Sequence, residues 1–463
     1  MHQHDAATAE LTEAIVRYAV ERIRMDPVPL DGPRTPAELD AACGPTITPE
    51  GLGGAEVLRR FAEVLAPACI SVDHPRYLSF VPCAATEAAV LFDLVVGASS
   101  IYGGSWMEGA GAVYAENAAL RWIADLAGMP PGAGGVFVSG GTAGNLSALV
   151  AARTEWRRRA NGAHARTRGL IAASAGAHSS VSQAARVMDC DVLAVPAERS
   201  GRMSGAGLAG AVAGLAPDDR ARLFAIVATA GTTNAGVIDD LAASADAARA
   251  LGCWFHVDGA YGAAALAAPS VRAKFTGIER ADSLIVDPHK WLFAPFDSCA
   301  LIYRDPATGR SAHTQHAEYL DVLHTGHDVH GPHGDQDWNP SDFAHHLTRR
   351  ARGLPFWVSL AAHGTDAYAA AIEATLAVAH AGADLIRRSG HCELVVEPEL
   401  SVVVFRRIGW TSQQYQEWSD RMLTAGEAFV VPTKWDGETV LRICVVNPRT
   451  TVDDIAFLVD SLA

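Results

Sequence analysis

Between Leu91 and Tyr303 the chain alternates short, almost wholly apolar runs with stretches of helical periodicity, and this feature narrows the fold most. The runs are Val136–Ser139, Leu170–Ser174, Leu223–Thr229, Trp254–Asp258, Leu284–Asp287 and Cys299–Tyr303. Helical stretches at Asn145–Arg159, Ser180–Met188 and Leu241–Leu251 fall between them. A strand with one wet face alternates apolar and polar residues, whereas one that is apolar throughout must be covered on both sides. The pattern predicts an α/β domain with a mainly parallel central sheet between helices.

The flanks differ. Leu11–Arg24 has amphipathic helical spacing and leads into a connector, Met25–Pro49, rich in Pro, Asp and Gly, so residues 1–90 read as an N-terminal arm. Residues 311–341 are full of His, Gly and Asp without periodicity, and a structureless stretch of that length is expected to be functional, here a mobile lid. Beyond Arg349, helices at Gly353–Gly364, Thr365–Arg388 and Val452–Leu462 and strands at Leu400–Arg406 and Val440–Val446 predict a smaller α+β domain. The expected division is 1–90, 91–345 and 346–463.

Composition excludes whole classes of function. With 49% hydrophobic and 19% charged residues the chain is globular rather than disordered. A net charge of -15 lacks the basic footprint of a nucleic-acid or anionic-membrane binder, which leaves small molecules and protein as expected partners. No run of apolar residues is long enough to span a bilayer, and the polar start Met1–Glu10 has no basic-then-apolar leader, so a cytoplasmic location is expected. The eight cysteines are scattered without a C-x-x-C pair and read as reduced thiols. Only three lysines occur, Lys274, Lys290 and Lys434, so chemistry that needs an amine has three candidates.

In an open α/β sheet ligands sit beyond the carboxyl ends of the strands. Three strand ends carry chemistry. Ser139-Gly140-Gly141-Thr142-Ala143-Gly144-Asn145 opens a helix whose free N–H groups suit a phosphate, although a glycine-rich turn alone is equally a structural turn. Asp258, in His256-Val257-Asp258-Gly259-Ala260-Tyr261, closes an apolar strand, where a carboxylate wants a cationic partner or else caps a helix. Lys290, in Asp287-Pro288-His289-Lys290-Trp291, follows a buried strand among bulky apolar residues, which lowers an amine's pKa; a lone lysine is more often simply solvated. Together the cradle, the acid and the lysine describe pyridoxal 5'-phosphate (PLP) held as a Schiff base, with the acid keeping the ring nitrogen protonated. His178 also follows a strand, placed to lie on the ring face and meet a substrate carboxylate, or else to bond backbone at a helix start.

These segments, with Ala177-His178-Ser179-Ser180, Gly231-Thr232-Thr233 and Asn447-Pro448-Arg449-Thr450-Thr451, stand in the order and spacing of the group II PLP-dependent decarboxylases, which the sequence resembles from His74-Pro75-Arg76-Tyr77 to its end. That family includes the aromatic-L-amino-acid, glutamate and histidine decarboxylases. The resemblance implies the PLP-dependent transferase fold, type I, and decarboxylation of an L-amino acid, aromatic or otherwise bulky and apolar, in a homodimer with shared active sites. It implies that Lys290 carries the cofactor, Asp258 pairs with the pyridinium and His178 stacks on the ring. It further implies that Gly141, Thr142 and His289 hold the phosphate, that Thr233 and Ala260 line the ring, and that Tyr319 on the lid protonates the carbanion left by CO2. Members with Phe in place of that tyrosine tend to form aldehydes oxidatively; Tyr319 and His178 favour plain decarboxylation here. A catalytically silent scaffold would have lost these residues.

The chain departs from the family at several points. Asp287 stands where many animal members have Asn, and a carboxylate near a phosphate must turn away or bond elsewhere. Gly104, near Tyr102, replaces a bulky aromatic, and Cys83, near Phe80, replaces the usual Thr, so Phe80, Cys83, Tyr102 and Gly104 are the expected substrate-pocket positions. The lid histidines 313, 316, 324, 327, 330 and 333 lack ligand spacing, so no metal site is expected. Arg157–Arg159 read as a solvated helix end or interface ion pairs, and Arg349 and Arg350 as ties between the lid and the dimer.

Overall fold

Seven strands build the central sheet: β1 Gly134–Val138, β2 Leu170–Ser174, β3 Asp191–Val195, β4 Leu223–Thr229, β5 Trp254–Asp258, β6 Ser283–Val286 and β7 Cys299–Tyr303, in the order β1-β7-β6-β5-β4-β2-β3. The computed structural model describes residues 2–161, 164, 166–323 and 338–463, without the side chains of residues 319, 321 and 322. The pairs from β3 across to β6 are parallel and β7 alone runs against its neighbours β6 and β1. Six of these strands coincide with the apolar runs to within a residue or two. β3 escaped that criterion because it pairs only with β2, at the sheet edge, and its residues alternate between exposed and covered.

The sheet separates two apolar clusters, as the two-residue repeat of a strand requires. Ile226 and Ala228 of β4, Phe255 and Val257 of β5 and Leu284 of β6 fall in one; Ala225, Val227, Trp254 and Ile285 fall in the other. The helix Gly141–Arg159 covers the second face, and Gly144 lets it come close: an added Cβ there would lie 2.8 Å from Ile285 and 3.0 Å from Cys299.

A second, antiparallel sheet, β10-β11-β9-β8, is formed by β8 Cys392–Val396, β9 Val402–Arg407, β10 Pro432–Trp435 and β11 Glu438–Cys444. Its cluster of Ile386, Phe405, Trp418, Leu441 and Ile455 is shared with the helices Thr365–Arg388, Ser412–Thr424 and Val452–Asp460. The first of these is long and apolar enough to cross a membrane by composition. Its Tyr368, Ile372, Leu376 and Ile386 are buried within the protein. The helix Leu354–His363 packs on Glu87–Ala98 and Trp106–Leu126, on the large-sheet side of the expected 345/346 division. Tyr261 Oη joins the two parts by a 2.6 Å hydrogen bond to Ser401 Oγ.

Candidate active site

Because side chains alternate along β5, Trp254, His256 and Asp258 share the face covered by Gly141–Arg159, and Asp258 is the last of them, at the carboxyl edge of the sheet. Asp258 is buried; Asn145 Nδ2 donates to its Oδ2 at 2.9 Å and the Ala260 N–H to its Oδ1 at 3.2 Å. A cleft of about 260 Å³ opens above it. Asp258, His178, Thr233, Ala260, His289, Lys290, Gly141 and Thr142 all line it. Eight residues expected from the sequence thus converge from five segments of the chain.

Lys290 sits in the turn after β6, its N–H bonded to Asp287 O. Its Nζ lies 2.8 Å from Asp287 Oδ2, and the Gly141 N–H donates to the same oxygen at 3.3 Å. Burial opposes the charge on Lys290, but Asp287 outweighs it and holds the amine above its ordinary value. The expectation that apolar surroundings lower this pKa is therefore corrected: the carboxylate three residues earlier supplies a counter-ion. Burial likewise works to raise Asp287, and Lys290 followed by His289 pulls it below the usual carboxylate value. Asp287 is turned to the amine and to Gly141. His289 is pushed down, chiefly by burial, and its Nδ1 lies 2.6 Å from Ser298 O and 3.0 Å from Ser298 N.

His178 caps the helix Ser179–Val187 and lines the cleft, its Nδ1 bonded to the N–H and hydroxyl of Ser180. Asn145, Ser180 and His256 stand inside the strand-end motifs without an expected role, and Arg442 stands outside them. Arg442, buried on β11, donates to Thr233 O at 2.9 Å and Phe80 O at 2.7 Å, tying the small sheet to the rim. For His256 the signal was available: it precedes Asp258 by two residues, the spacing that puts both on one face.

The four substrate-pocket positions do not gather at the cleft within one chain. Cys83 is buried beside it, lining an adjoining cavity of about 620 Å³ that shares Phe296 with the cleft. Its thiol donates to Ala294 O, and burial raises its pKa to about 12. The Phe80 ring is exposed near Phe429. Tyr102 donates to Leu347 O, and Gly104 lies against the Tyr102 ring, away from both cavities. The side chain of Tyr319 and the histidines 324, 327, 330 and 333 lie outside the described residues. His313 is not part of a loop: it ends the helix Pro306–His313, buried, with Nε2 at 3.0 Å from Ser147 O. Among the described residues no group of His, Cys, Asp and Glu could hold a metal. Arg349 and Arg350 pair within the chain, with Glu116 and Asp93, and Arg158 and Arg159 with Glu155.

These residues fit PLP. The helix Gly141–Arg159 starts without a side-chain cap, leaving the Thr142 and Ala143 N–H groups for a phosphate while the Gly141 N–H is given to Asp287. Asp258 offers a carboxylate to a ring nitrogen and Lys290 an amine to the aldehyde. Thr229 Oγ1, buried on the cleft wall, has no partner among the described residues.

The profile of the pyridoxal-dependent decarboxylase conserved domain matches residues 45–408. The aromatic-L-amino-acid decarboxylase of Bacillus atrophaeus is 30% identical over 397 residues, 83% of this chain and 79% of that protein. The L-2,4-diaminobutyrate decarboxylase of Rhizobium meliloti is 30% identical over 420 residues, 88% of this chain and 82% of that one. Among solved structures, Oryza sativa TDC with PLP and tryptamine has a TM-score of 0.88 at 24% identity, covering 100% of this chain and 98% of that one, a likeness that carries the fold.

Proposed function

Because the chain belongs to the pyridoxal-dependent decarboxylase family and is a PLP-dependent amino-acid carboxy-lyase of fold type I, we propose that it converts an L-amino acid with an aromatic or bulky apolar side chain to the amine and CO2. The observation that carries the assignment of roles is the convergence of Lys290, Asp258 and His178 on one cleft beneath an uncapped helix start. Lys290 holds the cofactor aldehyde, Asp258 the ring nitrogen, and Thr142, His289 and the turn at Gly140–Thr142 the phosphate. PLP bound there would supply an electron sink for the pair released when the Cα–carboxylate bond breaks. His178 meets the substrate from the ring face and Tyr319 returns a proton to Cα.

The side-chain preference is supported by the adjoining cavity, walled by Val90, Phe293, Pro295, Phe296 and Ala371 beside Cys83. Its Asp73 is already paired with Arg22, leaving that carboxylate committed when a cationic substrate arrives. A homodimer is supported by the exposed apolar residues Phe61, Leu94, Val95, Met107 and Tyr114 on the arm and the helices Glu87–Ala98 and Trp106–Leu126. Tyr102 and Gly104 lie between those two helices, where a partner's cleft could be completed.

The test is CO2 release from each of the twenty L-amino acids and from L-2,4-diaminobutyrate, with the Lys290→Ala protein as control. We expect aromatic substrates to dominate and the control to lose both CO2 release and the absorbance of the lysine-bound cofactor. Preference for diaminobutyrate or glutamate would overturn the side-chain reading.

A further inference from the structure

The buried polar groups behind the cleft form one continuous chain of hydrogen bonds. Trp254 Nε1 lies 2.8 Å from Ser283 Oγ, which lies 2.8 Å from His256 Nδ1. His256 Nε2 lies 2.8 Å from Asn145 Oδ1. Asn145 Nδ2 reaches Asp258 Oδ2 at 2.9 Å and Ser180 Oγ at 2.7 Å, and Ser180 Oγ lies 2.8 Å from His178 Nδ1. His256 and Ser283 are wholly buried, and Asn145 and Ser180 nearly so.

Three groups in this chain have no choice of role, and together they decide where every proton sits. The Asp258 carboxylate only accepts, so the Asn145 amide presents its nitrogen to Asp258 and Ser180 and its oxygen to His256. His256 must then donate from Nε2. Burial lowers its pKa to about 4, so the ring is neutral and its Nδ1 accepts. The indole N–H of Trp254 only donates, so Ser283 accepts from it and gives its own proton to His256 Nδ1. At the other end the backbone N–H of Ser180 only donates, at 3.2 Å to His178 Nδ1. Ser180 Oγ, accepting from Asn145, turns its one proton to the same lone pair, which the two donors of Ser180 share. The ring proton of His178 is thereby on Nε2, the nitrogen without a partner in the described chain.

We infer that Asn145 and Ser180 are positioning residues that hold His178 as its Nε2–H tautomer, referenced through the amide to the Asp258 carboxylate. His178 then meets the bound amino acid as a hydrogen-bond donor, suited to an acceptor such as its carboxylate. It takes no proton from the substrate at that nitrogen. His256, Ser283 and Trp254 lock the amide in the one orientation that allows this. A preset tautomer removes a reorganisation that would otherwise accompany each turnover. The inference rests on the proposed reading of the cleft as the PLP site.

Long-range 1H–15N spectra of the holoenzyme labelled at histidine test it, with His178 and His256 assigned by loss of their signals in His178→Gln and His256→Gln. Both rings are expected with the proton on Nε2 and an unprotonated Nδ1. A proton on Nδ1 of either ring, or averaged signals, overturns the inference. In Ser180→Ala the His178 Nδ1 resonance should move towards that of a free unprotonated imidazole nitrogen, with kcat down about tenfold for the lost hydroxyl bond to His178 and KM within about twofold. Ser180→Thr should restore both. Asn145→Leu should move the same resonance although it does not touch the imidazole; an unmoved resonance there overturns the coupling. An Nδ1–H ring in an enzyme that still releases CO2 removes the relay alone, whereas the expected tautomers in a protein without carboxy-lyase activity remove the functional reading instead.

Discussion

Replacing Asp287 by Asn should change how readily Lys290 captures its cofactor, because the amine reacts with an aldehyde only when unprotonated. Nζ and Oδ2 are 2.8 Å apart. Two unit charges at that distance attract by about 6 kcal/mol in an effective dielectric of about 20. The Lys290 side chain is 25% exposed, so solvent screens part of this. Keeping about a third leaves about 2 kcal/mol, or about 1.5 pKa units. Asn is isosteric and neutral, so the burial that opposes the ammonium remains while its counter-ion goes. The folded-state pKa of Lys290, held above its ordinary value by Asp287, must fall. At any pH below that value the unprotonated fraction rises, and cofactor uptake by the resolved apoprotein should quicken at least tenfold at neutral pH. The assay is stopped-flow growth of the lysine-bound cofactor's absorbance against pH. An inflection that stays in place in Asp287→Asn would refute the assignment of Asp287 as the counter-ion.

Other outcomes follow from single side chains. Arg349→Met strands Glu116, which is buried with its partner at 2% exposure each and also accepts the Gly353 N–H; unfolding free energy should fall by about 3–5 kcal/mol, and a loss below about 1 kcal/mol in urea would show the pair to be dispensable. His313 has its pKa lowered from 6.5 to about 4, chiefly by burial, so the folded state resists the proton and stability present above pH 6.5 is lost as pH falls toward 4, by at most about 3 kcal/mol. His313→Gln should flatten the urea midpoint between those pH values; an unchanged slope excludes His313 as the acid-labile group. Tyr319→Phe should keep the bound-cofactor absorbance and shift product from amine toward aldehyde, read by product analysis with ammonia and peroxide; an unchanged amine yield removes Tyr319 as proton donor.

Much of the site was legible because the information it needs is local. A strand's end residue, the turn that follows and the helix start after it are contiguous in sequence, so Asp258, Lys290, His178 and the Gly140–Thr142 turn could be placed at one sheet edge from apolar periodicity alone. β3 was missed because an edge strand need not be apolar throughout. The helix Trp106–Leu126 was missed because glycines interrupt its pattern, with non-helical angles at Gly109.

By itself the sequence determined the layered α/β architecture, the strand-end chemistry and the family, since each depends on residue type at fixed short spacing. Only the tertiary structure decided the protonation chemistry. Asn145 meets His256 and Asp258 across more than a hundred residues, and Arg349 meets Glu116 across more than two hundred. The Lys290 amine, although its counter-ion is only three residues away, takes its charge from the balance between burial and that carboxylate. Burial and long-range partners set these energies, and neither is a property of a chain read locally; both exist only once the sheet, its covering helix and the turn after β6 have been brought together.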